Sequence, residues 1–213
     1  QVVQTAKDSG LGLRMNGASV RLDEDSRIEL EADNRLYLQR GRVYVDTADG
    51  AGDALVVRTD QGSIVHLGTQ YLVAIAGDEL SVAVREGAVR IDGRYYDASA
   101  AAGEQVTLNG TRRPAVNGVA GFGGAWRWTE ALAPRPDLDG LPAARFLAWV
   151  SDETGYRLAF DDDAAERIAT TTVLKGAVDE DPRTALRLRL LTMDLAGDVD
   201  EARGEIRIRS TGQ

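Results

Sequence analysis

His66 is the chain's one histidine, and there is no cysteine to accompany it. A general base or a metal ligand needs company: a second imidazole, a thiolate or converging carboxylates. Nothing of that kind surrounds Val65-His66-Leu67, so His66 reads as a strand residue, packed or facing solvent. The absence of cysteine excludes disulfides, thiolate catalysis and thiolate metal sites. Acidic residues cluster at Asp23–Asp25, Asp161–Asp163, Asp179–Asp181 and Asp198–Glu201. None has the alternating carboxylates, glycine and distal glutamate of a calcium loop, and Asp137-Leu138-Asp139-Gly140 supplies only part of one. Solvated turns and helix caps account for them. A carboxylate pair could serve glycoside hydrolysis, but in so acidic a chain two acids carry no information. Gly121-Phe122-Gly123-Gly124 lacks the Lys-Ser/Thr of a phosphate loop. The residues thus show no catalytic set and imply no cofactor or metal.

Binding is the chemistry that remains. Trp126 and Trp128 flank Arg127, and exposed rings would offer a flat surface to a sugar or peptide. The simpler reading is a strand with both rings buried at a domain interface. Lys and Arg number 25 against 34 Asp and Glu, a net charge of −9. That argues against nucleic acid and against docking on an anionic membrane. No apolar run approaches the length that spans a bilayer. The chain opens on Gln1 rather than Met, as a processed chain or a fragment does, which leaves room for an anchor or leader upstream.

The elements that must position such surfaces are mostly short strands. From Leu55 to Ile91 the chain reads as Leu55–Thr59, Ile64–Leu67, Tyr71–Ile75, Leu80–Val84 and Val89–Ile91, separated by turns such as Gln61-Gly62 and Glu86-Gly87. Leu11–Met15, Ser19–Leu22, Arg27–Leu30, Leu36–Leu38, Val43–Val45 and Gly103–Leu108 extend the pattern. Asn16-Gly17 is a hairpin dipeptide, and Arg40-Gly41-Arg42 reads as a turn between two short strands. Asp46 to Asp53 reads as a loop, and Gln1 to Gly10 as a loose lead-in. The first part, residues 1–110, is therefore expected to be an all-β sandwich or a stacked, twisted, solenoid-like body. Residues 111–135, rich in Gly, Pro and Trp, read as a linker.

Beyond it the period becomes helical. Pro142 to Gly155 predicts a helix with Ala143, Phe146, Leu147 and Val150 on one face. Tyr156–Phe160 and Thr170–Leu174 read as strands, and a short strand is expected at Asp137–Asp139. Asp181-Pro182 starts a second helix, with Asp as N-cap. Asp194–Val199 and Glu205–Arg209 read as closing strands. Residues 136–213 are thus expected to form a small two-helix α+β domain, making the whole mainly β. Glu205, Ile206, Arg207, Ile208 and Arg209 alternate as an edge strand does, open to a partner's strand; a central or covered strand shows the same alternation.

Ordered motifs carry a family likeness. Ser19-Val20-Arg21-Leu22-Asp23-Glu24-Asp25-Ser26 resembles the opening signature of FecR-domain proteins. Gln39-Arg40-Gly41-Arg42-Val43-Tyr44-Val45-Asp46, Leu67-Gly68-Thr69-Gln70-Tyr71-Leu72-Val73 and Val84-Arg85-Glu86-Gly87-Ala88-Val89 follow in order, and Ala102-Gly103-Glu104-Gln105 resembles its closing element. The segment from Pro136 to Ile208 resembles the secretin/TonB short N-terminal (STN) domain, with Lys175-Gly176 and Pro182 to Ala185-Leu186 at its landmarks. The resemblance implies the periplasmic part of a single-pass inner-membrane regulator in a Gram-negative bacterium. Such a part takes a signal from a TonB-dependent transducer and controls a cytoplasmic sigma factor, commonly for iron uptake. The membrane helix and sigma-binding segment of that family are not in this sequence. The family brings no catalytic residues. The competing expectations are a module that binds envelope polysaccharide or peptidoglycan, and an enzyme acting on such polymers.

Overall fold

The computed structural model describes residues 1–32, 34–47, 55–66 and 68–212. Leu67 and most of the loop expected at Asp46 to Asp53 lie outside the described residues, as does Asp33. The chain divides into two compact units, Gln1–Gly121 and Phe122–Gln213.

The first unit is a body of short strands: β1 (Val2–Gln4), β2 (Leu11–Met15), β3 (Ala18–Leu22), β4 (Arg27–Ala32), β5 (Arg35–Asp46), β6 (Val56–Thr59), β7 (Gly62–His66), β8 (Gln70–Ala76), β9 (Glu79–Glu86), β10 (Ala88–Gly93), β11 (Ala98–Ala101), β12 (Glu104–Asn109) and β13 (Ala115–Gly118). One path runs β11-β10-β7-β6-β5-β8-β9-β12-β13, with β1 and β4 on one branch and β2 and β3 on another. The sheet curls until it is nearly a closed barrel. All its pairings are antiparallel except β5 with β6. A solenoid stacks parallel rungs, so the solenoid-like alternative gives way to hairpins and meanders.

β5 organises this body. Arg35–Tyr37 pair with β6, and Leu36, Leu38 and Arg40 pair with β4; Gly41–Asp46 pair with β8, and Val43–Asp46 with β3. The turn expected at Arg40-Gly41-Arg42 is instead a bend within one 12-residue strand. Gly41 has φ +87°, and a Cβ there would come within 2.5 Å of the Ser26 Cα. Ser26 Oγ accepts the Arg42 N–H at 2.9 Å and donates to the Arg42 carbonyl at 3.1 Å, so a side chain stands in for the interrupted ladder. Leu36, Leu38, Val43 and Val45 on β5 are fully buried, with Val20, Ile28, Val57, Ile64, Val73, Val82, Ile91 and Val106 around them. Each such side chain stabilises the fold by about 1.5–3 kcal/mol. The supposed lead-in forms β1, paired with β4 from Val2↔Glu29 to Gln4↔Arg27.

Residues 111–135, expected as a linker, contain β13 and helix α1 (Arg127–Ala131). The second unit continues with α2 (Ala143–Thr154), β14 (Arg157–Phe160), α3 (Asp163–Thr171), α4 (Pro182–Leu190), β15 (Leu195–Asp200) and β16 (Glu205–Ser210). Asp181 Oδ1 caps α4 through the N–H groups of Arg183 and Thr184, both at 3.1 Å, and Gly155 closes α2 at φ +73°. Of the expected strand at Thr170–Leu174, Thr170 and Thr171 end α3 and the rest is reduced to a bridge between Pro142 and Val173. Its β-branched run outweighs the helix signal in sequence, but the Asp162 carboxylate accepts the Ala165 N–H at 2.8 Å and starts the helix. Three helices thus stand in residues 136–213, where two were expected, and α1 lies in the stretch expected as a linker. Asp137, expected in a short strand, makes an isolated bridge with Ala177.

Candidate interaction surface

The strand expected to offer a free edge sits in the middle. β16 lies between β14 and β15, parallel to the first and antiparallel to the second. Ile206 pairs with Leu158 on one side and Val199 on the other, and Ile208 with Phe160 and Gly197. Both isoleucines are buried. Glu205 pairs with Arg157, and Arg207 donates to Asp161 Oδ1 at 2.6 Å through Nη2 and 2.9 Å through Nε. That carboxylate holds the guanidinium pKa above its ordinary value. Arg209 alone of the five is exposed. Alternation reports that one face is buried; it is silent on whether both backbone edges are occupied.

The free edges belong to β14 and β15. Beside β15 lies a groove of about 610 Å³ whose other wall is the end of α4. Leu186, Leu190 and Met193 form its apolar base, and Leu191 stands 80% exposed at its rim. Arg183 and Arg187 mark the helix side, Asp194 and Asp198 the strand side. Gly197 keeps the strand wall low: a Cβ there would meet Ile208 Cδ1 and Leu190 Cδ1, both at 2.7 Å. The Val199 N–H is held by the Asp198 carboxylate at 2.9 Å rather than by another chain segment. Apolar groove and open strand edge lie side by side, the combination an added strand uses for side-chain pockets and backbone pairing.

Trp126 and Trp128 do not lie on a strand. Trp126 caps the start of α1 and is fully buried, and Trp128 lies half-buried within the helix. Trp126 therefore offers no flat exposed face. Its neighbour Glu130, 3% exposed, takes a bidentate contact from Arg183, with Nε to Oε2 at 2.7 Å and Nη2 to Oε1 at 3.1 Å. The same guanidinium lies 4.8 Å from the Tyr156 ring centroid, and the Tyr156 hydroxyl donates to Glu201. Burial and the Glu201 contact raise the tyrosine pKa.

His66 is buried in the β body. Its Nε2 accepts the Leu55 N–H at 2.8 Å, so Nδ1 carries the proton and donates to Thr47 Oγ1 at 3.2 Å. Thr47 Oγ1 in turn accepts the Thr69 N–H at 2.8 Å and donates to the Thr69 carbonyl at 3.1 Å. Burial lowers the imidazole pKa. Both ring nitrogens are occupied by structural bonds, which matches a packed histidine. Among the described residues no group of three or more His, Cys, Asp and Glu converges to hold a metal ion. Among the described residues no helix is long and apolar enough to cross a membrane.

Residues 1–90 match the sequence model of the FecR protein family. No curated protein sequence matches the chain. Along its whole length the chain superposes on two crystal structures of a candidate anti-sigma factor from Parabacteroides distasonis ATCC 8503. Each has a TM-score of 0.50 and 15% identity, and the match covers 99% and 100% of those chains. At that identity the likeness is one of fold.

Proposed function

We propose that this chain is a non-catalytic, periplasmic signal-receiving part of a sigma-factor regulator, working by binding another protein. The match of residues 1–90 to the FecR family carries the reading. The anti-sigma description of the two structures that share the fold supports it. On this reading the second unit serves as an STN-type domain. It receives the signalling domain of a TonB-dependent transducer, in an iron-uptake or related circuit. The sigma factor is engaged through a cytoplasmic segment outside this sequence, across an inner-membrane helix. The contact surface we assign is β15 with its groove, in place of β16, whose two backbone edges are taken. A partner strand laid along β15 would gain backbone pairing from the edge and burial of the exposed Leu191.

Titrating the chain with a purified transducer signalling domain tests this. Val199→Pro removes an edge N–H together with a half-buried side chain packed on the core, and Leu191→Arg alters an exposed rim. Each should weaken binding about tenfold, the loss of roughly one good backbone or apolar contact. Unchanged affinity in both variants, with the second unit still folded, would remove β15 as the contact. Absence of any binding by the wild-type chain would remove the transducer as partner.

A further inference from the structure

The β body has a second hollow, far simpler in make-up than the groove. It opens at the end where the β6–β7, β8–β9 and β10–β11 turns gather, with a volume of about 330 Å³. Its floor is Leu108, 5% exposed, with Ile75. Its wall is Tyr95 and Tyr96, which are 56% and 39% exposed. The other aromatic hydroxyls of this body behave differently: Tyr44 and Tyr71 are fully buried, and Tyr37 donates to Asp60. Two adjacent large rings left open beside a cavity call for a reason.

The ring platform is held firmly. Gly62 and Gly93 face each other across β7 and β10, and a Cβ on Gly62 would come within 2.8 Å of Gly93 Cα. A Cβ on Gly93 would collide with the Tyr96 carbonyl and stand 3.0 Å from Leu108 Cδ2. Glycine at both places lets the Arg94–Tyr96 segment fold down onto the strand ends. The Arg94 N–H donates to the Gln61 carbonyl at 2.7 Å, and Gln61 Nε2 donates to the Asp78 carbonyl at 2.6 Å, tying three turns together. The Tyr37 hydroxyl fixes one oxygen of the Asp60 carboxylate at 2.6 Å.

Polar groups around this hollow are left with spare capacity. The Arg94 guanidinium lies 5.6 Å from the Tyr95 ring centroid and makes no ion pair with a described residue, although Asp60 and Asp78 line the same hollow. Asp60 Oδ2 has no partner among the described residues. Asn109 adds a planar amide with donors and an acceptor, and Gln39, whose Oε1 already accepts from Arg27 Nε at 2.7 Å, adds amide donors. A ligand that satisfies this set needs a carbon-rich face for the rings and several hydroxyls that both donate and accept. A nucleotide or free phosphate would meet two carboxylates against one guanidinium. An apolar peptide side chain would leave the amides and the carboxylate unsatisfied.

We propose that this hollow is a saccharide-binding site, with one sugar ring stacked on Tyr95 and Tyr96 and its hydroxyls shared among Gln39, Asp60, Arg94 and Asn109. The volume lies at the small end of the range for ligand sites and suits one or two sugar units. The site would let the β body sense or hold a glycan independently of the strand edge on the second unit. It does not depend on the transducer contact proposed above.

The test is calorimetric titration of the whole chain with N-acetylglucosamine trimer, maltotriose and cellotriose. At least one should bind saturably, with a dissociation constant of about 0.1–5 mM, as expected for a few stacking and hydrogen-bond contacts. Tyr95→Ala and Tyr96→Ala, both at exposed positions, should each weaken binding about tenfold or more; Gln39→Ala should weaken it by less. Leu191→Arg, on the second unit, should leave it unchanged. Because the tyrosines are exposed, circular dichroism of these variants should match the wild type. No saturable binding of any of the three sugars at about 20 mM would overturn the proposal, as would binding that survives the double tyrosine replacement. So would loss of transducer-domain binding in Tyr95→Ala with no sugar effect, which would mark the rings as a protein contact.

Discussion

The interior of the β body is closed by aliphatic side chains on strands, with the buried guanidinium groups of Arg21 and Arg85 set 4.9 and 5.6 Å from the Tyr44 ring centroid and hydroxyls such as those of Ser26 and Thr47 completing backbone ladders. The second unit also has an aliphatic core, but there a buried ion pair, Glu130 with Arg183, ties α1 to α4 beside the Tyr156 ring, with the exposed Glu201 joining from the solvent side. Sensitive points of the first unit include places where two backbones come too close for a side chain. In the second they are places where one charge holds another out of water. All three tryptophans and every helix among the described residues lie in Phe122–Gln213, so tryptophan fluorescence and the helical circular-dichroism band follow the second unit, while hydrogen exchange of the strand amides in Gln1–Gly121 follows the first.

The largest effect expected is from Glu130→Ala. It strands the Arg183 guanidinium, 18% exposed, beside Tyr156 and should lower the fluorescence-detected stability by about 3 kcal/mol. Hydrogen-exchange protection of the β-body strands should stay where it is; movement of both would break the comparison. Pairing it with Arg183→Met should recover much of the loss, because a buried pair replaced by apolar atoms is often neutral. Gly41→Ala should act in the opposite sense. Its φ of +87° and the Ser26 backbone beside it make the cost about 2 kcal/mol, seen in hydrogen exchange of the β5 amides and absent from fluorescence. Asp181→Ala, which uncaps α4, should cost about 1 kcal/mol in the fluorescence transition alone.

The smallest effect sharpens the picture of the β body through pH. Burial lowers the His66 pKa below its ordinary 6.5, so the unfolded chain takes up the proton first. The neutral imidazole's contribution is complete above about pH 6.5 and is lost as pH falls below it, until the folded form is protonated as well. Melting temperatures between pH 7.5 and 5.5 should fall more steeply for the wild type than for His66→Gln, whose amide can still accept the Leu55 N–H. Equal slopes would show that the histidine is not what the acid side titrates.

Much of the strand pattern is visible in the sequence because its turns need particular residues. Asn16-Gly17 takes φ +52° and +86°, the two positive values a tight hairpin demands, and β2 and β3 follow on either side. Arg40-Gly41-Arg42 carries the same glycine signal, yet a bend and a reversal both require positive φ, and only the position of Ser26 separates them. Helix α3 is hidden by Thr170, Thr171 and Thr172, whose strand preference is overruled by the Asp162 cap and by packing of Ala165 and Ala169. The edge assignment to β16 failed because strand order is a long-range property: the parallel neighbour β14 lies about 48 residues away in sequence, as the Arg157–Glu205 contact shows. The Tyr95–Tyr96 hollow went unread, although an Arg-Tyr-Tyr run after Asp92-Gly93 places two aromatics in a turn where burial is hard to achieve. β15 with its Gly197 gave no comparable signal.

A strand that serves two halves at once leaves no way to assemble them one after the other. Either end of β5 can begin to pair, but the bend at Gly41 joins the registers on its two sides, so a slip in one is transmitted to the other. Nicking the chain at that glycine should therefore yield two fragments that are disordered apart and regain order only on mixing. The β body would behave as an all-or-none object, and anything that tugs on one side of it is felt by both.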